Sequence, residues 1–473
     1  MPLYECLHTL EVTIMPQDPQ IQSSSKSSSR GPSCRNVYCQ KGGASLPNVE
    51  RLLLSCSKSK STGYTSRKLI GFKRDSDYKQ CMEELSKYGI RPVRSIQKSR
   101  VICCHLDSRR TEQLKSLAQH PNISYVEPDF KIHAHGFVPS NVSGKRKTAR
   151  KQPAPYTRKR VQTKSVHVKG RRTSVSSDSS TSTTPWNLSQ IGASKVWSTT
   201  RGKGAGIAII DTGIAKHSDL RITGGVNTMG GSSYYDDNGH GTHVAGIAAG
   251  TGSSKRPGVA PRASLYAIKA LDANGAGYVS DIIKGIDWCI KKGIPIINMS
   301  LGLEGETSSA LKEAVQRARK NGILIVASAG NNGTVGGRID QPARYTDALA
   351  VAASTRGGKI ANYSSRGYGI DVTAPGSYIK STWPGGGYQV LSGTSMASPH
   401  VAGGAALLKS LHPSITPYGI AQRLRNTSKK LSSYAKRTQG YGLIQLDDAA
   451  AVADNGASAA ARVRSAGRRR RTK

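Results

Sequence analysis

Gly393-Thr394-Ser395-Met396-Ala397-Ser398-Pro399-His400-Val401-Ala402-Gly403 sets a serine among small residues, at the head of an apolar run over 401–411 that reads as a buried helix. A serine hydroxyl is a poor nucleophile at neutral pH. It needs a base beside it and donors for a developing oxyanion. A helix N-terminus offers unpaired backbone N–H groups and the positive end of the helix dipole. Small residues in the turn let a substrate backbone come close. Such a serine calls for a histidine and an aspartate elsewhere in the chain.

Both lie upstream. Ile207-Ala208-Ile209-Ile210-Asp211-Thr212-Gly213 is a continuous apolar run ending in a carboxylate and a glycine. That is the pattern of a buried parallel strand delivering a polar residue to its C-terminal edge. Asn238-Gly239-His240-Gly241-Thr242-His243 then places a histidine at the start of a small-residue helical run. The order Asp, His, Ser is one of the orders of the hydrolytic triad. His243 lies one turn beyond His240, and spacing alone does not choose between them. Gly330-Asn331-Asn332-Gly333 is turn chemistry that also supplies a side-chain amide.

With Asn298-Met299-Ser300-Leu301-Gly302, Ala327-Ser328-Ala329 and Thr373-Ala374-Pro375-Gly376, these blocks resemble the subtilisin-like serine proteases, the subtilases, in that family's order. The resemblance covers 185–451 and, less strongly, 67–135. It implies an α/β fold, a mostly parallel sheet with helices on both faces, preceded by a small α+β ferredoxin-like propeptide. It makes Ser395 the nucleophile, His240 the general base, Asp211 the group that orients His240, and Asn331 the oxyanion donor beside the Ser395 N–H. His243 then becomes a structural histidine. Asn332, Ser392 and Ser398 are neighbours without a role, and Asp236 and Asp237 are loop charges.

The same resemblance implies that a peptide adds as a strand between Gly275-Ala276-Gly277 and Ser300-Leu301-Gly302. Ala329 and Gly330 would wall the pocket for the residue before the cut. Small residues there imply broad specificity favouring large apolar side chains; Asp340, if it reaches the pocket floor, would admit basic ones. No cofactor is required for the chemistry. Calcium is a cofactor of many members, and Asp219 matches a position that contributes a ligand. Against it, the loop Thr251-Gly252-Ser253-Ser254-Lys255-Arg256 brings two cations toward a site that wants oxygen ligands.

The 473 residues allow more than one domain. The net charge of +40 is uneven: residues 1–184 hold 33 Lys and Arg against 13 Asp and Glu, and 456–473 hold seven cations and no acid. Such a balance suits a polyanion or an anionic surface. It also raises an alternative of another class, a polyanion-binding protein that keeps a protease fold, with Arg468-Arg469-Arg470-Arg471 as its clearest feature. Seven of the eight cysteines precede residue 105, so the 185–455 region, with Cys289 alone, has no internal disulfide. Met1 to Gln20 lacks the basic start and continuous apolar core of a signal peptide, although the family resemblance implies secretion. No run reaches the ~18 apolar residues of a membrane span.

The chain therefore divides into a Ser-rich disordered segment (1–66), a propeptide inhibitor-like domain (67–135), a basic Ser/Thr/Pro linker (136–184), a subtilisin-like catalytic domain (185–455) and a basic tail (456–473). Strand patterns fall at 206–210, 265–270, 294–299, 323–327 and 348–353, alternating with helical ones at 240–249, 279–291, 308–321, 395–411 and 417–426. The expected protein is a monomeric serine endopeptidase made as a zymogen. It acts on protein and peptide substrates through an acyl-enzyme, with its own propeptide as intramolecular inhibitor.

Overall fold

The computed structural model describes residues 48–58, 61–136, 184–334 and 338–452. Residues 137–183 of the expected linker, all of the expected tail and the first 47 residues lie outside this set. A small unit comes first: α1 (Val49–Cys56), β1 (Ser57–Lys58), β2 (Thr65–Phe72), α2 (Asp75–Lys87), β3 (Arg94–Ile96), β4 (Val101–Asp107), α3 (Thr111–Gln119) and β5 (Ile123–Pro128). All strand pairing in it is antiparallel. β4 pairs with β1, β2 and β3, and β5 closes on β2.

Strand periodicity gives this sheet two apolar faces. Ile70, Phe72, Ile102, Cys104 and Leu106 pack under the helices. Leu69, Val101 and Cys103 turn the other way, into a core shared with the rest of the chain. Adjacent Cys103 and Cys104 are thus strand residues on opposite faces.

One boundary needs correction. The chain before residue 67 was expected to be disordered, but α1 and β1 belong to the small unit. Val49, Leu52, Leu53 and Cys56 recur at helical spacing and are buried against α2 and α3. The Ser-rich flanks hide this short apolar stripe of about two turns. β6 (Lys131–Ala134) then leaves the small unit.

The large unit opens with two short helices, α4 (Trp186–Gln190) and α5 (Ala193–Val196), followed by β7 (Gly206–Asp211), β8 (Ile222–Asn227), α6 (His240–Ala249) and β9 (Ser264–Lys269). Next come β10 (Ala276–Tyr278), α7 (Val279–Lys292), β11 (Ile296–Met299), β12 (Leu301–Gly302), α8 (Ser309–Lys320), β13 (Leu324–Ser328) and β14 (Ala348–Ser354). β15 (Val372–Pro375), the hairpin β16 (Ile379–Trp383) and β17 (Gly387–Leu391), α9 (Thr394–Leu411) and α10 (Pro417–Asn426) complete the frame. Seven strands form one parallel sheet in the order β15-β14-β13-β11-β7-β9-β8. Ile207 and Ile209 face the core under α6 and α9, while Ala208 and Ile210 face the one under α7 and α8. Apolar residues on both faces are what make β7 read as an unbroken run.

Two carboxylates fasten the small unit to the large one. Glu127 accepts hydrogen bonds from Ser308 Oγ (2.6 Å), Ser309 N (2.9 Å) and Ala310 N (3.1 Å) at the start of α8. Asp129 accepts from Ser280 N (2.9 Å) and Oγ (2.8 Å) at the start of α7 and is paired with Arg67 at 2.6 Å. Anions at helix N-termini satisfy unpaired N–H groups and oppose the dipole. Arg94 reaches across to Asp281 at 2.9 Å.

Leu53→Ala should destabilise the small unit by roughly 2–5 kcal/mol, the usual cost of emptying a buried leucine site. Hydrogen exchange should then show lost amide protection in α1 and α3, with β7 and β13 unaffected.

Candidate active site

Asp211 ends β7 fully buried. Its Oδ1 and Oδ2 lie 2.8 and 3.0 Å from His240 Nδ1, the first side chain of α6. Thr212 N donates to Oδ1 (2.7 Å), and Thr212 Oγ1 accepts from Gly241 N (2.9 Å), so strand end and helix start are stitched twice. Burial alone would push the His240 imidazolium down. The charge and hydrogen bond of Asp211, aided by Asp236, more than offset it, and the group stands above the ordinary histidine value.

His243 is buried behind the site, with Nε2 against the Ile379 and Gln389 carbonyls at 3.1 and 3.0 Å. Burial pushes it down to about 3, so it stays neutral. Asp236 is not the loop charge expected. Its Oδ1 accepts from Asn238 N (2.9 Å) and Gly239 N (2.8 Å), and its Oδ2 from Thr242 N (2.9 Å) and Oγ1 (2.5 Å). Thr242 Oγ1 in turn accepts from Ala215 N (2.9 Å), on the loop after Asp211. A carboxylate shortly before a helix start is the signal that could have revealed this capping role. Asp237 pairs with the buried Lys269 at 2.6 Å.

Asn331 follows β13. Its Oδ1 accepts from Thr394 N (2.9 Å) and Oγ1 (3.0 Å), which aims Nδ2 at the His135 carbonyl, 2.6 Å away. Ser395 N, in the first turn of α9, points at the same oxygen at 3.4 Å. Ser395 Oγ donates to the Ser300 carbonyl (2.9 Å). His240 Nε2 is buried without a partner. The neighbouring polar residues have other bonds: Ser398 Oγ with Asn298 Oδ1, Ser392 Oγ with Tyr378 N, and Asn332 N with Ser365 Oγ.

β6 lies between β10 and β12, antiparallel to both: Gly277 opposes Ile132, Ala276 and Gly302 oppose His133, and Leu301 opposes Ala134. Ala134 N donates to Gly275 O (3.0 Å) and His135 N to Ser300 O (3.2 Å). The residues expected to hold an extended peptide thus hold the chain's own segment. Gly136 follows: a Cβ built on it would lie 2.8 Å from His240 Nε2. The His135–Gly136 bond therefore sits between Asn331, Ser395 and His240. Gly393, at φ +152°, must lack a side chain, since a Cβ there would come within 2.3 Å of the His135 carbonyl oxygen.

The His135 ring fills the adjoining pocket. Nδ1 is 2.8 Å from Ser328 Oγ and Nε2 is 2.9 Å from Asp340 Oδ2. Gly302 makes room, as a Cβ would stand 2.0 Å from the ring. The pocket expected to favour large apolar side chains holds this polar ring in the structure. Asp340, anchored by its N–H to the Ala329 carbonyl (3.0 Å), is buried and presents a carboxylate inside it.

Asp219 also departs from expectation. Its Oδ2 accepts from Tyr388 Oη (2.5 Å) and its Oδ1 from Ser254 N (2.9 Å). Arg256 and Lys380 line the adjoining cleft. A hard cation needs several free oxygen ligands. Here both carboxylate oxygens already accept hydrogen bonds, and Arg256 stands over the Tyr388 ring that holds one of them, so the residues at Asp219 do not fit calcium. Among the described residues no group of three His, Cys, Asp or Glu is placed to hold a metal.

The family model described as "Subtilase family" matches residues 202–442. A thermostable alkaline protease of Halalkalibacterium halodurans is 48% identical over 265 residues, 55% of this chain and 72% of that protein. Subtilisin Savinase of Lederbergia lenta is 44% identical over 268 residues, 56% of this chain and 98% of that protein. Subtilisin DY of Bacillus licheniformis is 44% identical over 274 residues, 57% of this chain and 99% of that protein.

Chelation by EDTA should leave the melting temperature of the Ser395→Ala protein unchanged in calorimetry. Tyr388→Phe, which leaves Asp219 short of a donor, should lower stability by about 1–3 kcal/mol.

Proposed function

The chain belongs to the subtilase family and is a subtilisin-like serine endopeptidase acting on proteins and peptides, and from that premise we propose that it is made as a zymogen whose first substrate is its own His135–Gly136 bond. The observation that carries this is the His135 carbonyl, held by Asn331 Nδ2 and facing the Ser395 N–H. Residues 49–135 are the inhibitory propeptide on this reading, and 185–455 the catalytic domain.

Rotation about the Ser395 Cα–Cβ bond carries Oγ from the Ser300 carbonyl toward His240 Nε2. His240 takes the hydroxyl proton as Oγ bonds to the carbonyl carbon of His135. Negative charge gathers on the carbonyl oxygen, where Asn331 and the Ser395 N–H receive it; losing one such donor typically costs ~10²–10³ in turnover. Asp211 stabilises the charged imidazole. His240 then returns the proton to the Gly136 nitrogen as the carbon–nitrogen bond breaks, leaving an ester on Ser395. Water, activated by the same imidazole, hydrolyses it.

The reading of a polyanion-binding protein without catalysis is set aside, since the four polar groups stand together and the relatives bear protease names. Action outside the cell remains part of the proposal, supported by the family pattern.

Two outcomes test this reading. Ser395→Ala should stay uncut, while the unaltered chain gives a new N-terminus at Gly136 by mass spectrometry; continued cutting in the variant would sink the assignment. The base must be neutral to accept a proton. Because His240 is held above the ordinary value of about 6.5, kcat/KM should fall as pH drops through that higher value. Asp236→Asn removes a negative charge beside it and should move this acid limb to lower pH.

A further inference from the structure

We propose that Asp340 and Ser328 make the pocket before the cut selective for a basic side chain that donates hydrogen bonds: histidine, lysine or arginine. This rests on the reading of Ser395 and His240 as the machinery acting on the His135–Gly136 bond. The carboxylate of Asp340 is 6% exposed. Its Oδ2 lies 2.9 Å from Nε2 of the His135 ring. When that ring leaves, a buried carboxylate is left without its donor, a state that strongly favours the arrival of a side chain carrying N–H groups.

The ring shows how a guest is read. Ser328 Oγ engages one nitrogen at 2.8 Å and Asp340 Oδ2 the other at 2.9 Å. An aliphatic or phenyl side chain would enter the same space, strip water from Asp340 and offer it no donor, which a site built around hydrogen bonds punishes heavily. Gly302 and Gly330 leave width for a longer arm: a Cβ on Gly302 would strike the guest ring, and one on Gly330 would come within 2.6 Å of Asp340 Oδ2. The segment following the first cut carries such residues in clusters, Lys145-Arg146-Lys147, Arg158-Lys159-Arg160 and Arg171-Arg172. On this specificity they are the next bonds for the same enzyme.

The test uses the processed enzyme and a peptide series varied only at the residue before the cut. Histidine, lysine and arginine peptides should exceed phenylalanine and leucine ones in kcat/KM by at least about tenfold. Asp340→Asn should reduce that ratio by about tenfold or more. Should this variant fail to mature, the precursor supplies a second measurement with the pocket intact: His135→Phe should slow cleavage at 135–136, and His135→Arg should restore it. Equal or better cleavage of phenylalanine peptides, an unaltered ratio in Asp340→Asn, or His135→Phe processed at the normal rate would overturn the selectivity while leaving the protease reading intact. No cleavage of any peptide or of casein would overturn both.

Discussion

A strand laid between two others governs where chemistry can occur in this protein. β6 takes main-chain bonds from β10 on one side and β12 on the other, so its register has two independent checks. Strand side chains alternate, and a slip of one residue would exchange every inward and outward group. In the observed register Ile132 is buried in the shared core and the His135 carbonyl meets Asn331. Glu127 and Asp129 set the approach from upstream, each closing a helix start only a few residues before β6 begins. The bond after His135 is therefore placed by backbone geometry, two helix starts and the burial of Ile132.

Around that bond the charges form a graded set. Asp211 and His240 touch directly. Asp236 acts one shell out, holding the first turn of α6 and, through Thr242 and Ala215, the loop after Asp211. A single carboxylate thus ties together the two segments whose relative position decides the Asp211–His240 distance. Asn331 is oriented in the same indirect way, by Thr394 on the turn that carries Ser395. One turn thus both carries the nucleophile and aims the oxyanion donor.

Much of this was legible in the chain and some was not. The central strands read clearly because both their faces are buried, as over 207–210 and 324–327. Asp211, His240, Asn331 and Ser395 stand at the ends of such elements, where local pattern and family motif agree. β8 was missed because Ile222–Asn227 holds two glycines and no apolar run. β10 and β12 are three and two residues long and owe their strand pairing to β6, which no local pattern can reveal. α1 was lost among serines. Asp340 and Asp219 were visible as residues, but what their carboxylates face depends on Ser328, His135, Tyr388 and Ser254, which come from distant parts of the chain.

The fastening of the small unit has a kinetic side. Breaking the bond after His135 severs none of the contacts made by Glu127, Asp129 or Arg94, and β6 keeps both of its neighbours. On the proposed reading, the first turnover yields a product that stays seated, with its new carboxylate end still facing the groups that made it. The onset of activity toward other chains is then timed by how slowly that product departs or is itself digested. A lag after the first cut, and its shortening once a few free molecules appear, follows from the stability of the clamp and not from the speed of the chemistry.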